Sequence, residues 1–399
     1  MCTALEAPAA FEESPARRQR RRRSLLVLGL AAMAVGFSIN IQVGVNANFV
    51  WDVMHLTGLQ QGMLEAARES CGITAVALLA LLAGLAEPLV GVAVLLLMAV
   101  GLGAYMAVPT YGWLIVASMV WSQGFHVWVP LPNSMALAVA EPGRAGRRLA
   151  QIQKAGAAGS GAGLLAAYLL GRWGVPIRPL YLLAGGAALV AAAACLGVPR
   201  DIKTPGPRLV FRRRYGLYYL LNFLEGWRKQ VVLTFASYLL VQRHGTPVST
   251  MLVLWMIIQA VGWAAAPLAG RLIDRYGERR ILVGYYAGLT LCFVAYALSP
   301  SRNMLWAIFV TDGALFVFAL ALTTLAGRLA PAAERTATLS MGVAMNHVAA
   351  VAMPLTGGLL WRYAGYQWVF LLGAAAAALS ILAALRVPPR AAAPPASLC

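Results

Sequence analysis

The chain has 399 residues, of which 60% are hydrophobic and only 12% charged, with a mean hydropathy of +0.72 and a formal net charge of +18. Soluble domains run at about 45–50% apolar and about 25% charged residues, and their surface outgrows their core too quickly to bury this much apolar side chain. The composition excludes a soluble enzyme, a disordered chain and a disulfide-stapled secreted domain, and it requires a polytopic membrane protein. The basic excess falls in short clusters between apolar runs, the pattern of cytoplasmic membrane-protein loops and not of a nucleic-acid-binding face. Cys2, Cys71, Cys195, Cys292 and Cys399 form no close pair and no metal-finger spacing.

In chain order, the basic run Arg17–Arg23 precedes an apolar segment too long for a signal-peptide core, so residues 1–23 read as a basic tail before a retained first span. Windows of about 20 apolar residues then fall near 24–46, 59–84, 89–108, 112–139, 148–170 and 178–198. A second set falls near 215–241, 248–271, 281–299, 303–326, 337–361 and 366–387. Backbone groups in lipid must pair within the segment, so each window is expected to be a helix. The second, fourth and tenth are the least cleanly apolar. The fold expected is an all-α membrane protein of twelve transmembrane helices.

With both termini cytoplasmic, the outer loops hold only Arg172, Arg178, Arg243, Arg302 and Arg362. Arg68, Lys154, Arg228 and Lys229 fall within spans, and every other Lys or Arg lies inside, as the positive-inside rule demands. An offset of about 189 residues sets Pro142 on Pro331, Leu169-Leu170-Gly171-Arg172 near Leu359-Leu360-Trp361-Arg362, and Tyr181-Leu182-Leu183 against Phe370-Leu371-Leu372. Two six-helix repeats follow: an N-terminal bundle over 24–198, a cytoplasmic basic linker over 199–214, a C-terminal bundle over 215–387 and a cytoplasmic tail over 388–399.

Ionisable groups inside a bilayer are costly and therefore candidates for function. Glu225 falls near the middle of the seventh segment, with Arg228 and Lys229 at i+3 and i+4 on the same helix face. Glu65, Arg68 and Glu69 repeat that grammar in the second, and His126, Asp312 and His347 also fall at mid-depth. Gln123, Gln153, Asn222, Gln259 and Asn346 add uncharged donors and acceptors. Two readings of Glu225 with Arg228 stand side by side: an internal ion pair that holds the helix, or an arginine that binds an anionic group with the glutamate as counter-ion or proton carrier. The same two readings apply to Arg68 with Glu69. His126 and His347 are either proton carriers or hydrogen-bonded packing residues. Lys154 lies near enough to the cytoplasmic end to snorkel. The small residues Gly156, Gly159, Ser160, Gly161 and Gly163 allow close backbone approach, as a sliding surface between the two bundles would require.

Between the eighth and ninth segments, Gly270-Arg271-Leu272-Ile273-Asp274-Arg275-Tyr276-Gly277-Glu278-Arg279-Arg280 resembles the G-x-x-x-D-R-x-G-x-R/K-R/K loop signature of the major facilitator superfamily. The resemblance implies that Gly270, Asp274, Arg275, Gly277, Arg279 and Arg280 form a cytoplasmic gating loop, with the two glycines permitting a tight turn. The N-terminal copy, Gly84-Leu85-Ala86-Glu87-Pro88-Leu89-Val90-Gly91, has lost its arginines and keeps only Glu87 as a stand-in for the acid. Gln123-Gly124 matches the end of an R-x-x-Q-G pattern whose arginine position holds Val120, and Pro354-Leu355-Thr356-Gly357-Gly358 is similar to a P-x-x-G-G antiporter element in a different span.

The resemblance further implies two bundles around a central cavity, with the third, sixth, ninth and twelfth segments outside it. It implies secondary active transport of a small polar, anionic or zwitterionic organic solute by alternating access, coupled to H+, with efflux favoured by the Pro354 element. The expected setting is a bacterial inner membrane, as a monomer, with no enzymatic activity, no cofactor, no resident metal and no nucleic-acid partner. Two alternatives stay open: a divalent-metal transporter, should Glu69, His126, Glu225, Asp312 and His347 converge, and a non-transporting membrane receptor or scaffold.

Overall fold

The computed structural model describes residues 14–141, 143–203 and 211–389. The start of the basic tail with Cys2, Pro142 of the offset repeat, the middle of the linker and the end of the C-terminal tail with Cys399 lie outside the described residues. Among those described, regular structure is helical, apart from one isolated bridge between Ala86 and Lys203.

Helix α1 (Pro15–Asn48) runs on through a π-helical turn, Phe49–Val53, and α2 (Gly58–Leu81) follows. The start of α2 is fixed by a capping box: the Gln60 backbone N–H donates to Thr57 Oγ1 at 3.3 Å, and the Thr57 N–H to Gln60 Oε1 at 2.9 Å. Next come α3 (Glu87–Ala104), α4 (Tyr111–Trp128) and α5 (Leu131–Ala138), the last two divided where Pro130 and Pro132 remove backbone donors. Then α6 (Ala145–Arg172) and α7 (Ile177–Cys195) complete the first half. In the second half α8 (Gly216–Gln230) passes through a π-helical stretch, Val231–Ala236, into α9 (Ser237–Gln242). It is followed by α10 (Val248–Leu298), α11 (Arg302–Leu315) and α12 (Leu320–Leu329), then α13 (Ala332–Tyr363) and α14 (Tyr366–Ala384).

The long α10 is broken at one residue, Gly277, at φ 78° and ψ 159°, a region of backbone space that only glycine enters readily. The signature loop therefore turns on Gly277 alone. Gly270, expected to share the turn, is helical, because the helix of the eighth segment continues past residue 271 up to the break.

Eight of the described helices are long and apolar enough to cross a membrane. The α2 helix falls short because Glu65, Arg68 and Glu69 interrupt it, and the α8–α9 stretch because of Glu225, Arg228 and Lys229. Helix α6 is diluted by glycine. The fourth and tenth segments, the weakest in sequence besides the second, both qualify.

Two large hydrophobic cores form, mainly over α1–α7 and α8–α14, with a smaller third cluster around Tyr215, Tyr218 and Tyr219. In the first, α1 packs on α6 and α7, α3 on α4 and α7, and α2 on α4; in the second, α8 packs on α13 and α14, and α10 on α11 and α14. The bundles meet through α2 with α13, and through α1 and α6 with α10. Of the small residues of the fifth segment, Gly156, Gly159 and Gly163 face α1 within the first bundle. Gly159 and Gly163 lie against the backbone of Met33 and Phe37 on α1, where a Cβ has no room. Gly163→Leu should therefore overpack the α1–α6 contact and cost about 1–3 kcal/mol, read as a lowered melting temperature; an unchanged melting point would contradict this packing.

One end of the junction is sealed. A Cβ on Gly62 would enter the Pro354 carbonyl, the Trp361 ring lies against Gly58, Tyr238 Oη donates to Leu56 O at 2.7 Å, and Asn48 Nδ2 donates to Thr246 O at 3.0 Å. Toward the other end the facing helices part, leaving Leu81 of α2, Trp263 and Leu268 of α10 and Val343 of α13 exposed.

Ion pairs at the parted end join residues of a single bundle: Arg148 and Arg21 to Glu141, Arg328 to Glu278 at 3.2 Å, and Arg214 to Glu334. Arg148 donates to both carboxylate oxygens of Glu141, at 2.8 and 2.5 Å, and holds that carboxyl down at about 2. A lowered carboxyl contributes stability that is complete above the ordinary glutamate range and is lost as pH falls toward the lowered value. The melting-temperature difference between wild type and Glu141→Gln should hold constant from pH 7 to about 5 and shrink below about 4. A difference that grows as the pH falls would contradict the assignment.

Candidate functional site

The intramembrane polar residues gather into three clusters near the junction. In the second bundle, α8 carries Glu225 and Arg228 one turn apart and ion-paired. Arg228 is 1% exposed and lies over the rings of Tyr286 and Tyr285, at 4.5 and 5.2 Å from their centroids, while Tyr285 Oη donates to Glu225 Oε1 at 3.0 Å. The π-helical stretch Val231–Ala236 begins directly after this group, and such wide turns recur at functional sites because they re-aim side chains.

Beside the pair is a cavity of about 240 Å³. Its walls include Glu225, Arg228 and Lys229 of α8, Asp312 of α11, Trp255 and Gln259 of α10, and Asn40 of α1. Gln259 Nε2 donates to Asn40 Oδ1 at 2.9 Å, a hydrogen bond between the bundles, and Asn40 in turn donates to Ser160 Oγ at 2.8 Å. Asp312 is buried with no hydrogen-bond partner on Oδ2, and the Trp255 indole N–H is likewise unsatisfied. Buried polar atoms of this kind cost free energy until something pairs with them.

Tyr285, Leu289 and Phe293, from the part of α10 beyond Gly277, also line the cavity. The ninth segment was expected outside it. That expectation is corrected because the tyrosine ring is long enough to reach Arg228 while its apolar body leaves the segment reading as lipid-facing.

The second cluster crosses the junction. Glu69 of α2 lies 3.4 Å from Nδ1 of His347 on α13 and 3.9 Å from Nζ of Lys229. Lys229 donates to Asn346 Oδ1 at 3.3 Å, and Asn346 Nδ2 donates to the Asn222 carbonyl at 3.3 Å. The rings of His126 and His347 are 4.9 Å apart. Two glycines make the approach possible: Gly72 lies directly under the His347 ring and Gly226 under the Asn346 backbone. Lys229 thus belongs to both groups, lining the cavity and reaching Glu69.

The third cluster is internal to the first bundle. Arg68 pairs with Glu65 and not with Glu69, and sits over the Trp121 ring at 5.4 Å. Glu65 also accepts from Gln61 at 3.3 Å and Asn46 at 3.5 Å. The Arg68–Glu69 pairing is replaced because Glu69 faces α13 across the junction. Gln123 accepts from Thr74 Oγ1 at 2.6 Å on the exposed side.

The structure therefore brings Glu225, Arg228, Lys229 and Asp312 to one cavity and Glu69, His126, Asn222, Asn346 and His347 to an adjoining cluster, and leaves Arg68 and Gln123 apart. Asp274, Arg275, Arg279 and Arg280 follow α10 around the Gly277 break. Glu87, the lone acid of the eroded loop, is fully buried at the start of α3 after the turn at Gly84, φ 82°. Sequence reasoning missed Tyr285, Tyr286 and Asn40; adjacent tyrosines in an otherwise apolar run were the available sign.

Residues 218–398 match the family model described as Major Facilitator Superfamily. No curated protein matches the chain. Among solved structures, a point mutant of the nucleoside transporter NupG superposes with a TM-score of 0.76 at 14% identity, over 90% of this chain and 98% of that one. The D-xylose-proton symporter gives 0.73 at 15%, over 92% and 98%, and a bacterial homologue of the human lysosomal transporter Spinster, inward-facing and occupied, gives 0.72 at 12%, over 93% and 97%. At such identities the likeness is one of fold. The apolar helices make this an integral multi-pass membrane protein, and its fold is that of solved transporters. The likeness to the Major Facilitator Superfamily is carried by residues 218–398, and the likeness in fold to solved transporters runs over 90% of the chain.

Proposed function

We propose that the chain is a secondary active transporter that moves a small polar, anionic or zwitterionic organic solute by alternating access, coupled to protons. The observation that carries this reading is the cavity holding Glu225, Arg228, Lys229 and Asp312 between bundles that are sealed at one end and parted at the other. In the proposed cycle the solute's anionic group meets Lys229, any ammonium group meets the unsatisfied Oδ2 of Asp312, and Asp312 or the Glu69–His347 pair takes the coupling proton. The Glu225–Arg228 pair, satisfied by two tyrosines, is the fixed wall against which this happens.

The proposed topology has twelve spans: the eight apolar helices with α10 divided at Gly277, together with α2, α6 and the α8–α9 stretch. Two six-helix repeats over 24–198 and 215–387 are joined by the basic linker 199–214, with both tails, 1–23 and 388–399, cytoplasmic. The arginine-rich loops lie at the parted end, which makes the present conformation inward-facing. A monomer in a bacterial inner membrane and the export direction complete the proposal; the Pro354–Gly358 element supports the direction.

A thermal-shift screen of polar solutes on the purified protein tests it. A solute at about a hundred times its Kd stabilises the native state by about 2.7 kcal/mol, and that gain should vanish in Lys229→Ala or Asp312→Asn. Solutes that stabilise both variants as well as wild type would place the binding site elsewhere.

A further inference from the structure

Glu69 and His347 face one another across the junction through unsatisfied polar atoms. Glu69 Oε2 and His347 Nδ1 are both buried, make no hydrogen bond, and stand 3.4 Å apart. Either a proton or a metal ion satisfies both atoms, and 3.4 Å is about the edge of a tetrahedron whose bonds are about 2.0–2.1 Å long, the lengths of zinc to histidine and carboxylate. A third ligand completes the set: one donor atom each from Glu69, His126 and His347 fall within 4.8 Å of one another.

His126 is already arranged as a metal-binding histidine would be. Its Nδ1 lies 2.9 Å from the Ser122 backbone carbonyl and so carries the proton, which leaves the Nε2 lone pair free. A histidine whose second nitrogen donates to a carbonyl has its tautomer and ring orientation fixed for metal. Gly72 leaves the space that lets the His347 ring sit against α2. Two imidazoles and one carboxylate suit a borderline divalent transition metal and not calcium or magnesium. The nearest cation, Lys229, has a second partner in Asn346 Oδ1 to hold it when Glu69 is taken by metal.

We propose that Glu69, His126 and His347 form a binding site for a zinc-class divalent metal. Glu69 and His126 belong to the first bundle and His347 to the second, so the bound metal bolts the bundles together in the present conformation. It is a clamp on the cycle and not the cargo, and it lies beside the solute cavity without lining it.

Equilibrium dialysis of the purified full chain against zinc tests this. One zinc per chain is expected, together with a higher melting temperature. Affinity should fall at least about tenfold in each of Glu69→Gln, His126→Gln and His347→Gln, and stay at the wild-type level in His55→Ala and His244→Ala, which alter histidines outside the cluster. Because a substitution could disturb folding, cobalt added to the native protein gives a second readout, the visible absorption of a tetrahedral site. Zinc that binds all three ligand variants with wild-type affinity, or the lack of both zinc binding and a tetrahedral cobalt spectrum in the native protein, would overturn the proposal.

Discussion

Glu225→Ala should destabilise the protein by about 3–5 kcal/mol, the cost of removing one partner from a buried ion pair. Arg228 is 1% exposed, and without Glu225 its guanidinium would lose its direct carboxylate partner and rest on the faces of Tyr285 and Tyr286, which attract a cation far more weakly. The second substitution Arg228→Met, which replaces the stranded charge with an apolar side chain, should restore most of the loss. Melting temperatures of the single and double variants measure both effects. A Glu225→Ala protein that melts with the wild type would mean the pair carries no structural load and would move Arg228 into the solute site proper.

Asp312→Asn should act in the opposite sense on stability and abolish function. The carboxylate is buried with an oxygen that nothing pairs, so removing its charge relieves a desolvation cost and should leave the melting temperature unchanged or raised. A charge-assisted hydrogen bond is worth about 1.5–3 kcal/mol, so solute binding and proton-driven flux in reconstituted vesicles should fall by at least about tenfold. Wild-type flux with an unaltered dependence on the proton gradient would remove Asp312 from the mechanism.

Much of this was legible in the sequence because lipid imposes simple rules. Composition required a membrane protein, apolar windows located the helices, and the i, i+3 spacing put Glu225 beside Arg228. The same spacing allowed two partners for Arg68, and only packing chose Glu65, since Glu69 turns toward α13. The cluster of Glu69, His126 and His347 draws on three helices, and no local pattern records which faces of distant helices will meet. Tyr285 was hidden for a related reason: an apolar run gives no sign of which side faces a cavity. The fifth-segment glycines were recognisable as a close-packing face, but their partner, α1, is a property of the tertiary structure. Gly277 shows the limit at the level of one residue, since the signature marks two glycines and only the backbone reveals which one bends.

The central claim is that the two bundles rock about the buried junction, and pulsed electron-spin distances test it most directly. One spin-label pair would sit at the parted end, at Leu81→Cys and Leu268→Cys, and another at the sealed end, at His55→Cys and Tyr363→Cys, all exposed positions. On adding a solute that binds, or on imposing a proton gradient in vesicles, the first separation should shorten as the second lengthens. Two distances that never change, or that change together in the same direction, would contradict alternating access in this protein.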